Sequence, residues 1–224
     1  MKYPNFNEEE KLWKQGLNYV IGLDEAGRGP LAGPVVASAV CLDYLKLKNL
    51  KLFENWKLKI ENLGVRDSKK LSPKMREVLY RELTSDKFLR WGIGVVWEDI
   101  IDKLNILEAT KLAMKMAVDD VCKKYGKEAE FLIIDGNFIL PDMNISQKSI
   151  ISADSKVFSC SASGIIAKVS RDNIMKDMHL KYPDYGFEKH KGYGTKAHME
   201  ALEKLGPCKI HRKSFYPVST LAKR

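Results

Sequence analysis

Residues 19–36 read Tyr-Val-Ile-Gly-Leu-Asp-Glu-Ala-Gly-Arg-Gly-Pro-Leu-Ala-Gly-Pro-Val-Val. Residues 19–23 form an apolar run with the length and character of a short buried strand. It stops at two adjacent carboxylates, Asp24 and Glu25. Gly27-Arg28-Gly29-Pro30 follows, too rich in glycine to prolong a strand. A second apolar run, 35–42, is near enough to pair with the first as a hairpin. Successive strand residues point to opposite faces, so Asp24 and Glu25 share one site only if the strand ends or bulges there. The glycines permit that. Acids at a strand tip, followed by backbone that can approach a ligand closely, suit the floor of an active site better than a core.

Two further apolar segments end in acid. Phe131-Leu132-Ile133-Ile134 has the pattern of a buried parallel strand and ends at Asp135-Gly136. A stretch near Ile150 and Ile151 ends at Asp154. Residues 89–97, rich in β-branched and aromatic types, read as another strand. Helices fill the intervals. One opens at Ser72-Pro73, an N-cap followed by a first-turn proline, and runs to about Leu83. One spans 106–125, with Lys111, Lys115, Asp119 and Lys123 on its wet face and Leu107, Met114, Ala117, Val118 and Val121 on its buried side. One spans about 161–180. A last one is capped by Thr195 and stops at Gly206-Pro207. Residues 1–18 read as a polar leader with a helical turn near Leu12 and Trp13. In 43–66, leucine and lysine alternate as in a solvated edge hairpin or an amphipathic insertion. The class is α/β.

At 224 residues the chain can bury a real core, as one globule. Its net charge of +9 favours an acidic partner, nucleic acid ahead of a membrane surface. The four cysteines form no Cys-x-x-Cys pair, which argues against a zinc site or a secreted disulfide framework. No apolar run approaches the ~20 residues a membrane helix needs, and the expected location is cytoplasmic, with no membrane contact.

Carboxylates that converge without matching cations repel one another unless protonated or bridged by metal. Oxygen donors select hard cations, so Mg²⁺ or Mn²⁺ is favoured over zinc. Two such ions about 3.5–4 Å apart can clamp the attacking and leaving oxygens of a phosphodiester. A strand-terminal Asp equally serves as a turn former or a helix cap, and Asp67, Asp172 and Asp177 are available as well. The pattern by itself stops at a metal-dependent phosphotransfer enzyme.

Residues 22–36 resemble the signature of the type 2 ribonucleases H, the ribonuclease HII family. Asp67-Ser68-Lys69-Lys70-Leu71, residues 105–110, Ile134-Asp135-Gly136, residues 167–172, residues 190–195 and residues 211–215 resemble further blocks of that family, in its order. The resemblance covers about 19–219. It implies a ribonuclease H-like fold with a mixed five-stranded sheet flanked by helices: a catalytic domain over 19–194, and a C-terminal helical extension and basic tail over 195–224. It implies four metal-binding catalytic acids, Asp24, Glu25, Asp135 and Asp154, with Asp172 in support, and two Mg²⁺ or Mn²⁺ ions. The implied substrates are RNA/DNA hybrids and duplex DNA holding a single ribonucleotide, cut 5′ to the ribonucleotide by a monomer. Gly27, Arg28 and Gly29 would inspect the 2′-hydroxyl, Tyr193 would stack on the sugar, and Ser68, Lys69 and Lys70 would hold phosphates. The tail around Arg212 would add sequence-independent binding. Two positions depart from the family pattern: Ala153 replaces the glycine before the fourth acid, and Gly164 replaces a serine. The alternatives are a type 3 ribonuclease H, against which stand the short leader and the Gly-Arg-Gly, and a non-catalytic hybrid-binding protein.

Overall fold

The computed structural model describes residues 3–221. Five strands, β1 (Val20–Ala26), β2 (Val35–Leu42), β3 (Leu89–Val96), β4 (Phe131–Asp135) and β5 (Ser146–Ile150), form one sheet in the order β3-β2-β1-β4-β5. The first three are antiparallel neighbours, while β4 runs parallel to both β1 and β5. The helices are α1 (Asn7–Lys14), α2 (Tyr44–Asn49), α3 (Phe53–Leu63), α4 (Pro73–Ser85), α5 (Glu98–Leu104), α6 (Ile106–Tyr125), α7 (Phe158–Lys181), α8 (Phe187–His190), α9 (Lys196–Leu205) and α10 (Val218–Leu221).

Period-two alternation sorts the sheet into two cores. Val20, Val40, Leu42 and Ile133 face α7 and its Phe158, Ala162, Ile165 and Ile166. Ile21, Leu23, Ala37, Ala39, Leu132 and Ile134 face α6, whose Ala109, Ala113 and Ala117 allow close packing on β2 and β3. Asn105 caps α6 by accepting the main-chain N–H groups of Leu107 and Glu108, and Gly126 ends it in left-handed conformation, φ 61°. The expected caps Ser72 and Thr195 accept from Met75 and His198. On the other face, α7 lies so close to β1 that a side chain at Gly22 would collide with Ser159.

Three expectations change. First, α7 begins at Phe158, not 161, because Glu9 of α1 accepts both the main-chain N–H and the hydroxyl of Ser159, satisfying donors in the helix's first turn. Second, 43–66 forms α2 and α3 rather than a hairpin. Leu47, Trp56 and Ile60 bury their side chains beside Phe6, Trp13 and Phe158, so the leucine–lysine alternation is an amphipathic insertion with a core side. Third, β1 neither ends nor bulges at the acids. Its ladder with β2 continues through Glu25↔Ala37 and Ala26↔Val36.

Candidate active site

An unbroken β1 puts Asp24 on the α7 face with Gly22, and Glu25 on the α6 face with Leu23. The register Gly22↔Ile133 and Leu23↔Ile134 brings Asp135 level with Asp24 on that same α7 face. Asp154 arrives from a single 3₁₀ turn, Ala153–Ser155, just before α7. Carboxylate oxygens of Asp24, Asp135 and Asp154 consequently lie within 4.8 Å of one another. Glu25 stands outside this group and bonds the Arg28 guanidinium at 3.3 Å.

The two departures from the family pattern both fall here. The Ala153 N–H donates to Asp135 Oδ1 at 2.8 Å, tying two acid-bearing segments together, and the Ala153 methyl joins the core. A side chain at Gly164 would strike Asp24 Oδ2, so the carboxylate occupies space that the missing Cβ leaves in α7.

Burial, then the charges of Glu25 and Asp135, raise Asp24 well above the usual carboxylate range. Burial raises Asp135 as well. Asp154 is pushed up to about 6 by burial and by the charges of Asp135 and Asp67. Glu25 rises through burial, against the pull of Arg28. Lys69 is the cation nearest this group in effect: burial lowers its ammonium, but Asp24, Asp154, Asp67 and Asp135 together carry it upward. Such a set holds protons because it lacks positive charge. It offers only oxygen donors, as hard divalent ions require, so the residues fit Mg²⁺ or Mn²⁺.

The remaining sequence candidates sit around this cluster. Asp67 accepts the Lys69 N–H at 2.9 Å. Arg76 binds the carbonyls of Ser68 and Leu71, bracing the turn that holds Ser68, Lys69 and Lys70. Lys70 is exposed. Asp172 pairs with Lys168 at 2.8 Å and lines a cleft next to Tyr193. Tyr193 is 42% exposed, with its ring edge toward Gly29.

Sequence reasoning missed the two residues that shape the glycine loop, Arg171 and Arg212, both fully buried. Arg212 is no surface contact of a basic tail. It donates to the carbonyls of Gly33, Arg28 and Gly27 at 3.0, 2.9 and 2.6 Å. Arg171 donates to those of Pro34, Lys191 and Ala32. In a trans peptide the C=O of one residue and the N–H of the next point in opposite directions. Holding the Gly27 and Arg28 carbonyls inward therefore turns the N–H groups of Arg28 and Gly29 away from Arg212. Main-chain bonds from Leu31 to Gly192, Gly33 to Ile210 and Arg212 to Leu31 lock the loop to the two segments that follow α7. The only signal available in the sequence was the placement of both arginines inside family-like blocks.

A mixed sheet of this order, with carboxylates from its adjacent strands β1 and β4 gathered beside a third from the turn before α7, defines a ribonuclease H-like enzyme. The family model described as Ribonuclease HII matches residues 21–218. The chain belongs to the ribonuclease HII family. A ribonuclease HII of Chlamydia muridarum is 49% identical over 94% of this chain and 88% of its own. One of Caldicellulosiruptor bescii is 45% identical over 94% and 92%. The crystal structure of the ribonuclease H2 from Pyrococcus horikoshii aligns with a TM-score of 0.68 at 25% identity, covering 92% of this chain and 97% of that one. The expected fold and the ribonuclease H class both hold.

Proposed function

We propose that this ribonuclease H cuts the RNA strand of RNA/DNA hybrids and cuts duplex DNA 5′ to a single embedded ribonucleotide, leaving 3′-hydroxyl and 5′-phosphate ends. The observation that carries this is the juxtaposition of the three clustered acids with a glycine loop whose main chain is aimed from behind by buried arginines. Asp24, Asp135 and Asp154, with Glu25 from the opposite face of the same strand end, would hold two divalent cations, Mg²⁺ or Mn²⁺. When bound, these supply Lewis-acid polarisation of the phosphate and a more acidic water.

The chain's own residues do the rest. Gly27, Arg28 and Gly29 present main-chain groups, with no side-chain bulk at the glycines, to the ribose 2′-hydroxyl, the group that separates RNA from DNA. Tyr193 lays its exposed ring against the sugar. Lys69 balances the acids' charge, and Ser68 and Lys70 take backbone phosphates. Asp172 holds Lys168 beside Tyr193. The biological use is removal of misinserted ribonucleotides and RNA primers by a monomer in the cytoplasm. Among the described residues no helix is long and apolar enough to cross a membrane.

The test is a labelled DNA duplex with one ribonucleotide, incubated with Mg²⁺ and with chelator. Metal-dependent cutting 5′ to the ribose is expected. Cutting of long hybrids alone would favour a type 3 specificity, and binding without cutting a non-catalytic role. Asp135→Asn keeps an oxygen to accept the Ala153 N–H, so it should fold normally and cut nothing; near-normal cutting would remove Asp135 from the chemistry.

A further inference from the structure

Beneath the loop that carries Tyr193 lies a line of histidines for which the proposed chemistry has no use. His198 in α9 and His211 beyond it are fully buried, with their Nε2 atoms 3.0 Å apart. At one end, His198 Nδ1 lies 2.9 Å from the Tyr193 carbonyl oxygen. At the other, the Cys208 main-chain N–H points at His211 Nδ1 from 2.9 Å, with Cys208 Sγ at 3.2 Å.

The two ends fix every proton between them. A carbonyl can only accept and a main-chain N–H can only donate. His198 therefore carries its proton on Nδ1, and its Nε2 is a bare acceptor. His211 must fill that acceptor with an Nε2–H, which leaves its own Nδ1 bare to receive Cys208. The Cys208 carbonyl, 3.3 Å from that same Nδ1, accepts the His211 main-chain N–H at 3.1 Å and takes nothing from the ring in this arrangement. Protonating either ring fully would set N–H against N–H at 3.0 Å or against the Cys208 amide.

We propose that His198 and His211 are positioning residues: two neutral imidazoles in opposite tautomers, which relay order from Cys208 to the Tyr193 main chain and so seat the tyrosine ring beside Gly29. The surroundings agree. Burial drives both rings down to about 4. His190 stacks on His198 with centroids 4.3 Å apart, and its carbonyl accepts the Tyr193 N–H at 2.9 Å. Tyr193 is therefore gripped at both its N–H and its C=O. The functional half of this proposal rests on the reading of Tyr193 as the residue that meets the sugar.

Two measurements test it. Two-bond ¹H–¹⁵N spectra of the intact protein at neutral pH should show His198 as the Nδ1–H tautomer and His211 as the Nε2–H tautomer. Matching tautomers, or a charged ring at either position, would overturn the relay. For the functional half, His198→Asn keeps an N–H where Nδ1 was, whereas His198→Gln places its amide near Nε2 and leaves the Tyr193 carbonyl with the Thr195 N–H alone, at 2.8 Å. On duplex DNA with one ribonucleotide, His198→Gln should lose about tenfold in kcat/KM, the worth of one hydrogen bond of ordinary strength, and His198→Asn should stay within about threefold. Equal losses would refute the positioning role. Tyr193→Ala in the same assay separates the two ideas: unimpaired cutting, together with opposite tautomers, would refute the tyrosine's role and leave the relay standing.

Discussion

Asp154→Asn should make the metal-free protein more stable and its response to metal weaker. In the folded chain Asp154 titrates at about 6 instead of 3.8, raised by burial and by its acidic neighbours. A group whose folded value is raised favours its neutral form. Its penalty is absent below the unfolded value, grows as pH rises between the two, and is complete above the folded one. The rise corresponds to about 3 kcal/mol at neutral pH. Neighbouring acids take up protons in its place, so removing this one charge recovers only about 1–2 kcal/mol. Asparagine carries no such penalty, so in chelator at pH 7.5 the variant should melt higher by about 2–8 °C for a chain of this size. The gain should vanish near pH 4. Metal reverses the comparison. A divalent ion at a hundred times its dissociation constant stabilises the native state by about 2.7 kcal/mol, and a variant short of one charged ligand captures less of it. The assay is thermal melting from pH 4 to 8, with Mg²⁺ and with chelator. A lower melting point without metal, a gain independent of pH, or an unchanged Mg²⁺ increment would each refute the view that repulsion among these acids is what the cations relieve.

Three other substitutions probe neighbouring parts of the design. Gly164→Ala adds a methyl where Asp24 Oδ2 now sits; helix propensity gains about 1 kcal/mol, so the variant should stay folded while cutting falls at least about tenfold as Asp24 is displaced. Wild-type rates would show that the carboxylate does not need that space. Arg212→Lys keeps a charge but cannot fork to the carbonyls of Gly27, Arg28 and Gly33; cleavage at a single ribonucleotide should fall about 10–100-fold, for one to two lost hydrogen bonds, and unchanged kcat/KM would dismiss its hold on the loop. Glu9, raised by burial from 4.5 to about 7, should cost stability increasingly as pH climbs through that interval. Glu9→Gln should therefore flatten the pH profile of urea unfolding and add about 3 kcal/mol above pH 7; parallel profiles would contradict this.

The three clustered acids stood out because each follows an apolar run, although only Asp135 closes its strand: β1 runs on to Ala26 and Asp154 sits in a turn beyond β5, and the register of β1 and β4 does the rest. Expecting the strand to break at Asp24-Glu25 failed because Ala37 and Val36 continue the ladder, and the sheet keeps both acids by placing them on opposite faces. Arg171 and Arg212 were illegible because a guanidinium bonded only to main-chain carbonyls leaves no charged partner to notice. Their targets at 27–34 are more than a hundred residues away. The burial of 43–66 was hidden for a similar reason. Its Leu47, Trp56 and Ile60 meet Phe6 and Trp13 of the leader, and nothing in either segment names the other as the partner its apolar residues bury against.

The two buried guanidiniums have an electrostatic consequence of their own. Burial lowers them to about 10 and about 9, so both stay charged at neutral pH, and every hydrogen bond they make among the described residues goes to an uncharged acceptor. Dissolved ions screen charges on the surface far more than charges inside. Raising ionic strength should therefore strip away the pull of the exposed lysines first. What persists is a short-range attraction for anions centred on the glycine loop, so the grip on nucleic acid narrows with salt from the whole basic surface to the place where the sugar is read.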